Sequence, residues 1–463
     1  MTVSAPSLVR RLGPIDGASI IVSNVIGSGI FLVPALVAVW VPNVWAMLGA
    51  WVVGGLLAFA GAMAYAELAA RLPRAGGEYV YLREAFGPVA GFLTGWTSFV
   101  AGFSGAIAAG AVGLATYLGR LVPAAADATP FATLPLGVVT LSVSPRALVA
   151  LAAIAALTVV HIAGLGPGRI VQNFLAAAKV GFLVALVALG FAVGSGSVGN
   201  FTAPSGDAVS PALWLLALIP IMFSYSGWNA AAYVAEEIRE PERNAPIAMA
   251  VGTVAVVGIY LLLNLLYVYA MPVAEMGELA SADARVIDAA GARLFGDGFA
   301  ALLAAASVVM IAASLSAMVL AGPRVYFAMA RDGQFFEAAA RVHPRLRTPV
   351  AAIVAQSAWS GLLVLAGTFD QLLLYTGFAV VMFAGAGVAA LFVVRRRDGA
   401  AARPVSLLRR VAPAVFVAAS AAMLVNAVWR EPVASGAGVL LITAGLPFYF
   451  VFRRRAAQGD SPG

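Results

Sequence analysis

The sequence contains no cysteine, two histidines and, among its 28 basic residues, a single lysine, Lys179. The missing cysteine excludes disulfides and thiolate-bound metal. His161 and His343 are too few for a histidine-based metal cluster, and His343 falls in a basic loop. Neither a metal nor a cofactor is therefore expected. Charge is scarce as well: Asp, Glu, Lys and Arg make up 11% of the chain, against roughly 25% in soluble domains. A chain so poor in charge is not built for water.

What fills the space is apolar, with 62% of the 463 residues hydrophobic. Runs of about twenty such residues recur from end to end, each long enough to cross a hydrocarbon core of roughly 30 Å. Twelve helical spans are predicted, near 16–37, 44–69, 89–118, 147–165, 172–194, 210–235, 246–271, 298–327, 350–367, 371–394, 405–428 and 433–452. The continuous runs exclude a barrel of short alternating strands. An all-α polytopic membrane protein follows, a single transmembrane domain over 1–463 with the lipid bilayer as its partner. The stretch between spans near 272–297 is long enough for short surface helices only. No segment between spans offers room for a soluble enzyme domain, so enzymatic catalysis is not expected. The first span has no small-residue cleavage site after it and is read as retained.

Arginine sets the expected orientation. With the N-terminus in the cytoplasm, most arginines fall inside, from Arg10 and Arg11 to Arg453, Arg454 and Arg455. Only Arg120, Arg146, Arg285, Arg293 and Arg430 fall outside. Both termini are thus expected in the cytoplasm, and the net charge of +7 reflects orientation, not nucleic-acid binding. A prokaryotic cell membrane is the expected location.

Two spans carry interruptions. The first reads "VSNVIGSGIFLVPA", with Gly27-Ser28-Gly29 near its middle and Pro34 close behind. The sixth has Pro220 followed by "FSYSGWN", Phe223 to Asn229. Either small residues let helices pack closely, or the helices break. Corresponding interruptions five spans apart suggest a 5+5 inverted repeat, 16–194 and 210–394, with two further helices over 405–452. Unwound backbone at mid-depth is tolerated where it lines a cavity or is buried in protein. A half-helix resuming after a break offers free N–H groups and a positive dipole to a carboxylate. One ending before it offers carbonyl oxygens to an ammonium. Together they suit a zwitterion.

Several strings, in order, carry a family likeness: "GSGIF", "AGGEYVYLREAFGPVAGFLTGW", "QNFLAAAKVG", "FSYSGWNAAAYVAEEIREPERNAPIAM", "GPRVYFAMARDGQFF" and "TPV". The chain resembles the amino acid–polyamine–organocation superfamily, and within it the L-type and related bacterial amino acid permeases. The resemblance implies a LeuT-type fold with broken helices 1 and 6. It implies that Ile26, Gly27, Ser28 and Gly29 receive the substrate carboxylate, and that Phe223, Ser224 and Ser226 receive the amino group. Phe223 also matches an aromatic gate, while Trp228 and Asn229 match the start of the half-helix after the break. For Trp228 a packing role stands beside the substrate role. Ser226 stands where the L-type members usually have glycine, and Ala230 where some have a larger aromatic.

Lys179 is placed by the predicted span about seven residues, roughly 10 Å, inside the fifth helix. It either snorkels to the interface or serves the transport cycle. The resemblance implies the second, with the ammonium replacing a sodium ion of sodium-coupled relatives and contacting the first break and the eighth helix. Ser314 or Ser316 would then be its partner, and Lys179 either a proton carrier or a fixed tether.

Among the acidic residues, Glu67, Glu236 and Glu237 lie near cytoplasmic helix ends and Asp370 in an outer loop, which favours a neutral substrate. Arg71 to Arg83 reads as an amphipathic loop helix on the inner surface, and Glu236, Glu237, Arg324 and Arg331 as mostly solvated ends, with pairing of some of them across an inner gate as the alternative. The expected function is secondary transport of neutral L-amino acids by alternating access, proton-coupled or by exchange. A permease or antiporter for cationic amino acids or polyamines is the alternative within transport. A transporter-like amino acid receptor is the alternative outside it, and the short tails leave little room for signalling.

Overall fold

Each of the long apolar runs is helical in the computed structural model, which describes residues 8–27, 29–137, 140–202, 209–281, 285–367, 369–397 and 406–459. Among these residues, nine helices are long and apolar enough to cross a membrane. They are Val44–Arg71, Pro88–Leu118, Pro145–Ile162, Leu165–Val193, Pro241–Ala270, Asp297–Arg331, Gly377–Arg397, Leu407–Arg430 and Pro432–Arg454. The pair Pro14–Val25 and Gly29–Trp40, inclined by 47°, adds a tenth span if counted as one. Two apolar helices are shorter, Pro211–Tyr225 and Val350–Ala366. The protein is a multi-pass, essentially all-α membrane protein.

Local chemistry sets several of the helix starts. The Asn43 side chain accepts the Ala46 N–H at 2.9 Å, and the Ser144 hydroxyl accepts from Ala147 at 3.2 Å with Pro145 in the first turn. Both satisfy amides that have no partner within the helix. The core lies where Pro14–Val25, Val44–Arg71 and Pro241–Ala270 pack together. Trp51 packs edge-to-face with Tyr225 and Tyr260 within it, and the two tyrosine rings lie tilted against each other.

Between the third and fourth predicted spans the chain leaves the all-α plan. Ala132–Pro135 and Thr140–Val143 pair as an antiparallel ribbon in the register Ala132↔Val143. The 272–297 stretch does form two short helices, Val273–Ser281 and Val286–Phe295, and Arg293 pairs with Glu275 across them.

The arginine-rich face departs from the sequence expectation. Residues 71–83 are not a surface helix: the chain turns at Gly76 and Gly77, and the helix Glu78–Phe86 buries Tyr79, Val80, Tyr81 and Leu82. Glu237 and Arg324 are not solvated ends either. They form a two-pronged ion pair, 2.7 and 3.1 Å, at 0% and 1% exposure. Arg331 reaches Glu236 at 3.0 Å, and Glu236 also accepts the Ala75 N–H at 3.1 Å. The Leu12 backbone pairs with Ile238, and Arg83 and Tyr79 both hold Asp332. Glu237 and Arg324 lose their hydration only because each meets a partner from a distant part of the chain, whereas Arg331 stays about half exposed.

Candidate functional site

The first break begins where the Ile26 N–H makes the last helical bond, to Val22, and the Ile26 backbone turns extended. The helix restarts at Gly29. Ser28 lies outside the described residues. The second break begins at Ser226, where Pro211–Tyr225 ends, and Gly227 follows with φ of +102°. Here the expected half-helix is reduced to one turn, Ala230–Tyr233, and a tighter turn, Ala235–Glu237.

The two breaks touch. A side chain on Gly29 would meet Ser224 at 2.9 Å, and one on Gly227 would meet the Asn24 side chain at 2.6 Å. Only glycine permits both the approach and the left-handed turn. The Tyr260 hydroxyl sits between them, 2.8 Å from the Val25 carbonyl and 3.0 Å from the Ser224 carbonyl. One donor is thus shared by carbonyls from both breaks. Tyr260→Phe keeps the ring packing against Trp51 but strands two buried acceptors, at a cost of about 1–3 kcal/mol. The expected result is a raised KM with a modest loss of thermal stability; an unchanged KM would remove Tyr260 from the site.

Lys179 reaches the same place. It is fully buried, and its ammonium donates to the Ser23 carbonyl at 3.0 Å, to the Ser314 hydroxyl at 2.8 Å and to the Ile26 carbonyl. Ser314 also donates to Ile26, at 2.9 Å. The lysine does not snorkel. Its helix starts at Leu165, not near 172, so Lys179 lies roughly 21 Å from that end. Ser316 is not its partner: that hydroxyl pairs with His161 Nε2 at 3.0 Å.

A cavity of about 250 Å³ lies against both breaks. Of the sequence-derived candidates, Gly27, Gly29, Phe223, Ser224, Ser226, Trp228, Asn229 and Ser314 line it. Ile26 does not; it is buried, and its carbonyl serves Lys179 and Ser314. Trp228 lines the cavity and also packs edge-on to Tyr65 and Phe416, at 4.9 and 5.9 Å. Its two readings are compatible. The cavity extends to Arg285, whose guanidinium lies 4.1 Å over the Tyr117 ring. The ion pairs of the arginine-rich face are not part of its lining.

Sequence reasoning missed three contributors. Glu78 is a carboxylate in the cavity lining, which corrects the expectation that no acidic residue reaches the site. Tyr65 donates to it at 2.9 Å and Asn229 at 2.7 Å. Burial raises its carboxyl to about 7, against the pull of hydrogen bonds from Tyr65, Asn229 and Tyr233. Its signal was the "GGEY" string, where two glycines with positive φ fold the polar connector inward. The second is the widened π turn at Ser98–Gly102, inside Pro88–Leu118, which brings Ser98 and Gly102 to the cavity. Such turns recur at functional sites, and the sequence carries no marker for them. Tyr260 is the third, inside an unbroken apolar run.

Interrupted helices whose free backbone groups meet a cavity within a membrane bundle are a construction of secondary transporters. Comparison with known proteins agrees. Residues 12–452 match the family model described as amino acid permease, and the chain belongs to that family. It is 28% identical to the serine/threonine exchanger SteT of Bacillus subtilis, over 97% of this chain and 98% of that one. Identity to the large neutral amino acids transporter small subunit 2 of Homo sapiens is also 28%, over 96% of this chain and 81% of that one. The b(0,+)-type amino acid transporter 1 of Mus musculus is 29% identical, over 96% and 88%.

Proposed function

We propose that the protein moves neutral L-amino acids across a prokaryotic cytoplasmic membrane, with both termini inside, by alternating access. The observation that carries this reading is the meeting of two helix breaks at one cavity. Free N–H groups at the start of Gly29–Trp40 suit the substrate carboxylate, and carbonyls at the end of Pro211–Tyr225 suit its ammonium. Ser28 completes the first set of donors, and Phe223 closes over the substrate. The two shorter apolar helices bring the span count to twelve, in keeping with a 5+5 inverted repeat of LeuT type plus two helices.

Glu78 bears on the cationic alternative, since an open carboxylate would attract a basic amino acid or polyamine. Its oxygen is already engaged by Tyr65 and Asn229, and Arg285 lines the same cavity. A neutral zwitterion therefore fits better, in line with the substrates named for the serine/threonine and large neutral amino acid relatives. Exchange fits better than proton coupling, because the Lys179 ammonium is held by three oxygens and acts as a tether.

The test is uptake of labelled alanine, leucine and arginine into proteoliposomes, with and without internal amino acid and an inward proton gradient. Alanine or leucine uptake that requires internal amino acid and ignores the gradient is expected. Gradient-driven uptake into empty vesicles would reassign the mechanism to proton symport, and preference for arginine would reassign the substrate.

A further inference from the structure

Asn229 has both amide hydrogens engaged, one by Glu78 Oε1 at 2.7 Å and one by the Tyr233 hydroxyl at 3.1 Å. Among the described residues no group donates to its carbonyl oxygen, and Asn229 lines the cavity. A charged carboxylate can only accept hydrogen bonds. While Glu78 is ionised, Asn229 must turn its NH2 group towards it, and its oxygen is left for the cavity. A protonated Glu78 can donate as well as accept, and the amide is then free to flip. The cavity would then meet an NH2 group, which repels an ammonium.

We propose that Glu78 is a positioning residue for transport: its charge fixes the orientation of the Asn229 amide and so presents an acceptor to the substrate ammonium. The inference rests on the amino acid reading of the cavity and adds a group outside the two breaks. Glu78 sits at the first turn of the helix Glu78–Phe86 and links it to two other elements. Tyr65 comes from Val44–Arg71, and Asn229 and Tyr233 follow the second break.

The groups facing Glu78 leave the outcome to its own proton. Tyr65, Tyr233 and, from its own helix, Tyr81 are its titratable neighbours. From Pro88–Leu118 the cavity receives Thr94, Thr97 and Ser98, and from Gly377–Arg397 it receives Ala379, Phe383 and Ala384. Asp297–Arg331 contributes Tyr326, coupled to Tyr233, while its Arg324 and Arg331 are engaged by Glu237 and Glu236. Arg83, further along the same helix, is held by Glu84 and Asp332. Burial brings the Glu78 carboxyl to about 7, so the group is charged above neutrality and protonated below it. Acceptance of the ammonium is therefore present above pH 7 and lost as pH falls through it.

The test measures KM for labelled alanine or leucine exchange from about pH 5.5 to about pH 8.5, for the wild type, Glu78→Gln and Glu78→Asp. Losing a hydrogen bond to a charged group corresponds to a roughly ten-fold rise in KM. The wild type is expected to show that rise on acidification. Glu78→Gln, close in shape but without charge, is expected to have the raised KM at every pH. Glu78→Asp is expected to restore pH dependence, with a displaced midpoint. A wild-type KM that is flat with pH overturns the proposal even if Glu78→Gln fails to fold. So does a Glu78→Gln variant with wild-type KM and profile. Wild-type vesicles that take up no amino acid at any pH would overturn the transport reading itself, and this inference with it.

Discussion

Lys179→Met is expected to lower amino acid exchange at least about 100-fold while the protein still inserts and folds. The ammonium is the donor for two backbone carbonyls, Ser23 and Ile26, and for the Ser314 hydroxyl. Ile26 ends the first half of the broken helix, so its carbonyl has lost its helical partner and is held instead by this cation and the Ser314 hydroxyl. Hydrogen bonds to a charged group contribute about 1.5–3 kcal/mol each, and every tenfold change in an equilibrium takes about 1.4 kcal/mol. Losing even two of them removes the break from its working geometry in most molecules. Methionine fills a similar volume, so packing around the site is kept and the loss reports on charge. Lys179→Arg separates the two roles of the lysine. A guanidinium is planar, larger and never deprotonated in a protein. If the lysine is a tether, arginine restores part of the exchange without changing its pH profile. If it carries a proton, arginine leaves exchange intact and removes only the gradient-driven component. Exchange that persists at wild-type rate in Lys179→Met would sink the tether, and gradient-driven uptake that also persists would sink the proton carrier.

How deep Lys179 lies was the clearest misjudgement available from the sequence, and its cause is physical. The string "GLGPGRIVQ" looks like a loop because it holds three glycines and a proline. Pro167 stands in the first turn of the helix that starts at Leu165, where its missing N–H has no helical partner to lose. The helix therefore begins about seven residues early, and the lysine moves from the interface to the level of the break. The breaks themselves were legible because two such patches stand five spans apart, while either alone reads equally as close helix packing. Which helical pieces would follow them was not: alanines at 230–232 favour helix, yet the chain makes a single turn there before Ala235–Glu237 tightens. Glu78 and Tyr260 were illegible for different reasons. Glu78 sits in a connector whose polarity reads as solvent-facing until the turns at Gly76 and Gly77 fold it inward. Tyr260 looks like one more aromatic in a membrane helix, and only the arrival of Val25 and Ser224 from elsewhere in the chain gives its hydroxyl a task.

The arginine-rich face yields the other large expected effect. Arg324→Met leaves Glu237 buried at 0% exposure with no cation beside it. Breaking such a pair by removing one partner costs about 3–5 kcal/mol, whereas replacing both with apolar residues is often neutral. Arg324→Met and Glu237→Met should each lower thermal stability sharply, and the double variant should recover most of the loss. Folding is only half of the expectation. The pair joins the segment after the second break to Asp297–Arg331 and is not part of the cavity lining, which is where a gate closed on that side is expected. A carrier of the alternating-access kind must break this contact in each cycle, and a weaker contact shifts the population towards the state open on that side. The absence of native cysteine makes this measurable. Ala109 lines the cavity, and Ala109→Cys provides one thiol whose labelling can be read from either side. In the double variant Arg324→Met/Glu237→Met, labelling from the arginine-rich side should rise and labelling from the Arg285 side should fall. Equal labelling in both backgrounds, with stability restored, would mean that the ion pair only holds the fold together and that the gate lies elsewhere.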